Sequence, residues 1–206
     1  MSNARPTVLV HGFADTWYTP WWSLLRRYLS SVGIDRVETV DVGNVPGTTV
    51  DSPRTYAGTI GETIERLHDD TGELVNVVAH SMGGLGTRWY VEKQGGNQHV
   101  DRLVTLSTPH QGTRASRLAG FTRGARDMTP TSDFILELNS GGPADGVDYT
   151  ALWSKLDPAT YPSRRAALPD TYLGDNARNV LAGAYSHIEM VARKNVFNKY
   201  KTYLVS

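Results

Sequence analysis

Val75-Asn76-Val77-Val78-Ala79-His80-Ser81-Met82-Gly83-Gly84 is the stretch whose reading decides the rest. Its β-branched apolar run predicts a buried strand, and that strand ends on a serine held between small residues. Helix formers follow from Leu85 to Gln94, with Leu85, Trp89 and Tyr90 at helical spacing. A strand that turns at once into a helix lifts the Ser81 hydroxyl onto a tight corner. There the helix N-terminus offers free N–H groups and the positive end of its dipole. Such a corner tolerates only small neighbours, the G-x-S-x-G pattern of a nucleophile elbow. Here the first small residue is Ala79, which still fits. The plainer alternative is a strand-to-helix turn that happens to contain a serine.

The flanking sequence supports the elbow. Thr7-Val8-Leu9-Val10 predicts a strand running into His11-Gly12-Phe13, followed by a loop crowded with Trp17, Tyr18, Trp21 and Trp22. A helix is expected over Trp21 to Ser31, a strand over Val37 to Val42, and a helix opened by Asp51-Ser52-Pro53 and closed before Gly72. After the elbow come a strand at Leu103 to Leu106, an irregular excursion from Ser107 to Gly146, and strands around Val147 to Trp153 and Asn179 to Ala182. A closing helix starts at Ile188. Within the excursion Ser132 caps a short helix bearing Phe134, Ile135 and Leu138. Arg114, Arg117, Arg123 and Arg126 read as solvated surface. Alternating strands and helices imply one α/β domain spanning 1–206, with a mainly parallel sheet covered on both faces.

Composition narrows the chemistry. Of 206 residues 39% are hydrophobic and 20% charged, and 21 Lys and Arg balance 21 Asp and Glu. A formal charge of zero argues against nucleic acid as a partner and suits an uncharged or amphiphilic substrate. With no cysteine there are no disulfides, thiolate metal sites or cysteine nucleophiles. No apolar run reaches the ~18 residues of a membrane span. Met1 to Pro6 read as a flexible end or an expression remnant, too short and polar for a secretory signal.

A serine hydroxyl needs a base, and the base needs an orienting acid. In sheet hydrolases these follow in the chain order serine, acid, histidine. His187 is the one histidine late in the chain, and it sits between a strand and a helix. Of the carboxylates between Ser81 and His187, Asp101 precedes its strand, while Asp127, Asp133 and Glu137 belong to the excursion. Asp145 and Asp148 open a strand at the wrong end of the sheet, and Asp170 and Asp175 lie among exposed turns. Asp157 closes a strand and precedes Pro158, so it is the expected acid. His11-Gly12 after the first strand suits an oxyanion loop, with the Phe13 and Met82 amides as its donors. No cofactor or metal is called for. Trp17, Trp21, Trp22, Phe121, Phe134 and Ile135 are the expected apolar acyl site, with Met128 to Asn139 bordering it.

Five segments carry a resemblance. They are Val8-Leu9-Val10-His11-Gly12-Phe13, Ala79-His80-Ser81-Met82-Gly83-Gly84, Leu106-Ser107-Thr108-Pro109-His110-Gln111-Gly112-Thr113, Tyr149 to Asp157, and Ser186-His187. Together they resemble the bacterial serine lipases and esterases of the α/β-hydrolase superfamily. The likeness is to the small Bacillus-type lipases in particular, with similarity to actinobacterial lipases in the third segment. The resemblance points to the same acid, Asp157. It implies hydrolysis of a small-molecule or lipid ester through an acyl-serine, transient contact with a lipid interface, and secretion if a signal peptide has been removed. The chain departs from the pattern in its longer path from Arg114 to Gly146 and in lacking the disulfides of the actinobacterial members. Thioesterase, phospholipase and polyester hydrolase are alternatives on the same apparatus. A non-catalytic module of this fold is the reading outside enzymes, and such a module would be expected to lose the serine or the histidine.

Overall fold

The computed structural model describes residues 4–42 and 48–205. Six strands, β1 (Thr7–Val10), β2 (Val37–Val40), β3 (Val75–His80), β4 (Val100–Leu106), β5 (Asp148–Ser154) and β6 (Ala177–Gly183), form one sheet in the order β2-β1-β3-β4-β5-β6. Every neighbouring pair is parallel. Parallel strands need a crossover between them, and the sequence supplies α1 (Pro20–Ser30), α2 (Pro53–Thr71) and α3 (Met82–Lys93). β1, second in the order, is flanked by β2 and β3, so the strand order reverses between β1 and β3. Open α/β sheets bind ligands at such a switch point, outside the carboxyl ends of the strands.

The two faces of the sheet carry separate cores. Val8, Val10, Val77, Ala79, Leu103 and Tyr149 pack with α2 and α3 on one side, while Leu9, Val78, Val104 and Leu152 pack with α1 and the C-terminal helices on the other. This is the period-2 alternation of a strand expressed on both faces. Local signals act as expected: the Ser52 hydroxyl accepts from Arg54 N at 3.2 Å, Pro53 opens α2, and left-handed Gly72 closes it. The excursion holds the expected α5 (Asp133–Leu138), capped by Ser132, preceded by α4 (Arg123–Asp127) and a 3-10 turn at Ala115–Ala119. Its four arginines are exposed.

Three expectations need correction. The closing helix is three short pieces, α6 (Glu189–Ala192), α7 (Lys194–Tyr200) and α8 (Thr202–Val205). Arg193 is extended between the first two, which lets Met190 and Val191, then Val196 and Phe197, all reach the same core. β5 ends at Ser154, so Asp157 lies three residues beyond it and caps the 3-10 turn Pro158–Thr160. Of the N-terminal stretch expected to be flexible, Met1 to Asn3 lie outside the described residues. The rest is tied down, since the Pro6 carbonyl accepts from Asn76 N at 2.9 Å and Arg5 pairs with Asp101 at 2.8 Å.

Phe134 and Ile135 do not line an acyl site. Each is 2% exposed, and the Phe134 ring stacks on Trp89 with centroids 5.3 Å apart. Phe134→Ala is therefore expected to destabilise by about 3–5 kcal/mol, as truncations of buried aromatics do. Urea unfolding should show that loss, while the ratio of long-chain to short-chain ester rates stays at its wild-type value.

Candidate active site

Among the described residues three non-glycine positions are held at positive φ: Ala14 at 54°, Ser81 at 55° and Ser107 at 49°. Ser81 and Ser107 follow β3 and β4 directly and Ala14 lies in the loop after β1, all at one end of the sheet around the switch point. Strain of this kind persists only where surrounding structure holds it, and it gathers at functional sites. Ser81 has ψ −129° and leads straight into α3, which is the predicted elbow.

Packing around the elbow explains the small residues. A Cβ on Gly12 would lie 2.6 Å from Ser81 Cβ and 3.2 Å from its hydroxyl oxygen, so the loop after β1 crosses the corner in direct contact. A Cβ on Gly83 would run into the His11 carbonyl oxygen. Met82 is the first residue of α3, where an amide has no intrahelical acceptor. Phe13 lies in the crossing loop and, with Ser81 and His187, lines a cavity of about 250 Å³.

That loop is shaped by side chains given another role from sequence. Asp15 accepts from Thr16 N at 2.8 Å and Thr19 Oγ1 at 3.1 Å through one oxygen, and from Trp21 Nε1 and Trp22 Nε1, both 3.1 Å, through the other. Trp22 is fully buried in the core under α1, and Trp21 packs beside it. These tryptophans grip the loop that carries Phe13 and do not line the cavity. Trp17 is 48% exposed and lies by a separate surface hollow, and Phe121 is 84% exposed. The cavity is instead walled by Pro109, Thr113, Ala115, Ala119, Ala125, Met128 and Ala159. Within Met128 to Asn139, only Met128 reaches it.

The structure brings His187 and Asp157 together. His187 Nδ1 and Asp157 Oδ2 are 2.8 Å apart, so the ring donates from Nδ1 and keeps its lone pair on Nε2. The other carboxylate oxygen accepts from Ala159 N at 2.9 Å. Asp157 is 1% exposed. Burial pushes its carboxyl upward, but the bond and charge of His187, with help from the Ala159 amide, hold it below the ordinary aspartate value.

Two supports of the histidine loop were not foreseen. The Ser154 hydroxyl accepts from Tyr185 N at 2.7 Å and donates to Tyr185 O at 2.6 Å, joining the end of β5 to that loop. Ser186 N and Oγ both donate to Glu189 at 2.9 Å, and with the Arg193 contact they lower the Glu189 carboxyl to about 2. The Ser186/Glu189 spacing is that of a capping box and was readable in the sequence. His11 is buried and held neutral, its Nε2 accepting from Val42 N at 3.3 Å.

His110 sits in a buried polar cluster beside the site. Its Nε2 lies 2.8 Å from Thr105 Oγ1 and its Nδ1 3.2 Å from Arg88, so Nδ1 accepts. Burial first, and then the Arg88 charge, press its pKa well below the usual histidine value.

The profile of the family described as palmitoyl protein thioesterase matches residues 6–173. Triacylglycerol lipase 2 of Saccharomyces cerevisiae is 30% identical over 97 residues, which is 45% of this chain and 28% of that protein, so the match spans less than a third of that relative. Among solved structures, the mature Bacillus licheniformis lipase BlEst2 superposes with a TM-score of 0.77 over 100% of this chain and 94% of that one, at 14% identity. Aspergillus fumigatus lipase B gives 0.77 over 92% and 49%, at 21% identity. At these identities the likeness is one of fold, the α/β-hydrolase fold.

Proposed function

The chain belongs to the palmitoyl protein thioesterase family, and on that premise we propose that it is a lipase or esterase acting on carboxylic esters through an acyl-serine on Ser81. One observation carries the reading: strained Ser81 and the Asp157-bonded His187 line the same cavity. Ser81 Oγ attacks the acyl carbon and its proton passes to His187 Nε2. The carbonyl oxygen becomes an oxyanion, held by the Phe13 and Met82 amides, each worth on the order of 3 kcal/mol in the transition state. Collapse expels the alcohol, which takes the proton from His187. Water then repeats the sequence and releases the acid. No step calls for a cofactor.

The same steps release a thiol from a thioester, and the family match favours keeping that second reading. A fluorophosphonate probe should label the wild type at Ser81 and leave Ser81→Ala unlabelled. Label taken up at Ser107 or Ser186 in that variant refutes the assignment. Matched oxygen and sulfur esters then decide between the two leaving groups.

Cavity size bears on the acyl chain. About 250 Å³ holds roughly eight groups the size of a water or a methylene, at ~30 Å³ each. Short and medium acyl chains fit inside, and exposed Leu118 and Phe121, on the same excursion that walls the cavity at Ala115 and Ala119, are apolar side chains suited to a lipid surface. Soluble p-nitrophenyl esters should therefore be turned over fastest between butyrate and octanoate. Met128→Ala should move that optimum to longer chains, and an unmoved optimum removes Met128 from the acyl wall. Among the described residues no helix is long and apolar enough to cross a membrane.

A further inference from the structure

β3 alternates its side chains between the two cores, so His80 points away from α3 and toward the face covered by α1 and the C-terminal segment. It is 2% exposed. Its ring meets Trp22 edge-on with centroids 6.4 Å apart, and lies against the His187 ring at 4.4 Å and 46°. His80 Nε2 is 3.1 Å from the His187 carbonyl oxygen. A carbonyl only accepts, so the proton is on Nε2. The other nitrogen, Nδ1, is buried with no partner among the described residues.

Volume alone does not explain a histidine here. Leucine or phenylalanine would fill the space between Trp22 and His187 without stranding a buried nitrogen, which costs stability. The stranded nitrogen comes with a bond that an apolar residue cannot make, and that bond joins residues 107 positions apart. One end is the residue next to the nucleophile, and the other is the backbone of the base.

We propose that His80 is a positioning residue that registers His187 against Ser81 through its Nε2–H bond to the His187 carbonyl; the proposal rests on the ester-hydrolase reading. Asp157 holds the edge of the His187 ring and fixes its tautomer. Ser154 holds the loop one step earlier, at Tyr185. His80 holds the His187 backbone itself and packs against its ring, which leaves Nε2 of His187 as the unengaged nitrogen of that ring. The charged and titratable groups that act on His80 are His187, Asp157 and His11. Burial foremost, and then His187, press its pKa well below the usual histidine value, with Asp157 opposing. A neutral ring adds no positive charge beside the imidazolium that forms on His187 during the reaction.

His80→Met and His80→Gln have similar length and volume, and only glutamine keeps an N–H donor. With p-nitrophenyl butyrate below its solubility limit, His80→Met should lower kcat by about 10- to 100-fold, the scale of a small misplacement of reacting groups. Its KM should stay near wild type, and His80→Gln should recover most of the lost kcat. Equal loss of kcat in both variants, or wild-type kcat in His80→Met with only a lowered Tm, overturns the proposal. The wild-type tautomer is an independent reading that needs no substitution. Nitrogen-15 NMR should place the His80 proton on Nε2, and a proton on Nδ1 removes the tether. A wild-type protein that cleaves no ester would instead defeat the hydrolase reading, and the tautomer measurement separates the two failures.

Discussion

Asp157→Asn is expected to fold and to lose ester turnover by about 10³- to 10⁴-fold, the scale of the same change in a serine protease triad. The carboxylate accepts Nδ1–H of His187 at 2.8 Å, which leaves Nε2 free to take the Ser81 proton. An amide that turns its NH₂ toward the ring stabilises the opposite tautomer and places the lone pair on the wrong nitrogen. Substrate binding does not involve that nitrogen, so the loss should fall on kcat. Asp170→Asn and Asp175→Asn, at exposed positions, should stay near wild type. Collapse in either control alongside normal turnover in Asp157→Asn would reassign the acid.

The same carboxyl gives a stability signature with a definite sign. Its pKa in the folded protein lies below the ordinary 3.8. Its contribution is therefore present above 3.8 and is lost as pH falls below that value, through the folded pKa. Acid unfolding of wild type and Asp157→Asn should show a stability difference that narrows in this window. A difference that widens there contradicts the lowered pKa.

Arg88→Ala is expected to lose about 3–5 kcal/mol of stability, the penalty for leaving one charge of a buried pair alone. Arg88 has no exposed side-chain surface, and Glu92, one turn along α3, has 3%. Their contacts are 2.8 and 3.1 Å. Around them Arg88 reaches Asn139 Oδ1 at 3.2 Å and lies over the Tyr172 ring, while the Tyr172 hydroxyl meets Glu92 at 3.0 Å and Leu138 O at 2.9 Å. Asn139 in turn donates to His110 O at 2.8 Å. Burial weakens the charged state, yet Glu92 and Tyr172 hold the guanidinium above its usual pKa. The cluster pins α3, α5 and the Thr108 to Gly112 turn, next to the cavity wall at Pro109 and Thr113. Urea unfolding measures the loss, and Arg88→Met combined with Glu92→Leu should recover part of it because no lone charge remains. A single variant within about 0.5 kcal/mol of wild type, as for an ordinary surface substitution, would remove the cluster's structural role.

What the sequence alone determined is what short-range chemistry determines. Strand and helix periods, the Ser52-Pro53 start, the Gly72 stop, the Ser132 cap and the elbow at Ser81 depend on residues within a turn or two of one another. Their outcome is the same in any fold that accepts them. Chain order placed Asp157 and His187 on neighbouring connections because a parallel sheet brings the carboxyl ends of its strands together. Tertiary structure decided which apolar residues face empty space and which face each other. Phe134, Ile135 and Trp22 have the composition of an acyl site but lie under other elements, while Ala115, Ala119, Ala125 and Ala159 wall the cavity because small side chains leave room there. Pairing of buried polar groups was also decided in space. The spacing of Arg88 and Glu92 reads as an ordinary surface pair until Tyr172 and Asn139 arrive from distant sequence to cover it. His80 reads as part of the elbow turn until folding sets the His187 carbonyl against its Nε2. Desolvation gives these contacts their energetic weight, and it depends on what the rest of the chain brings to cover them.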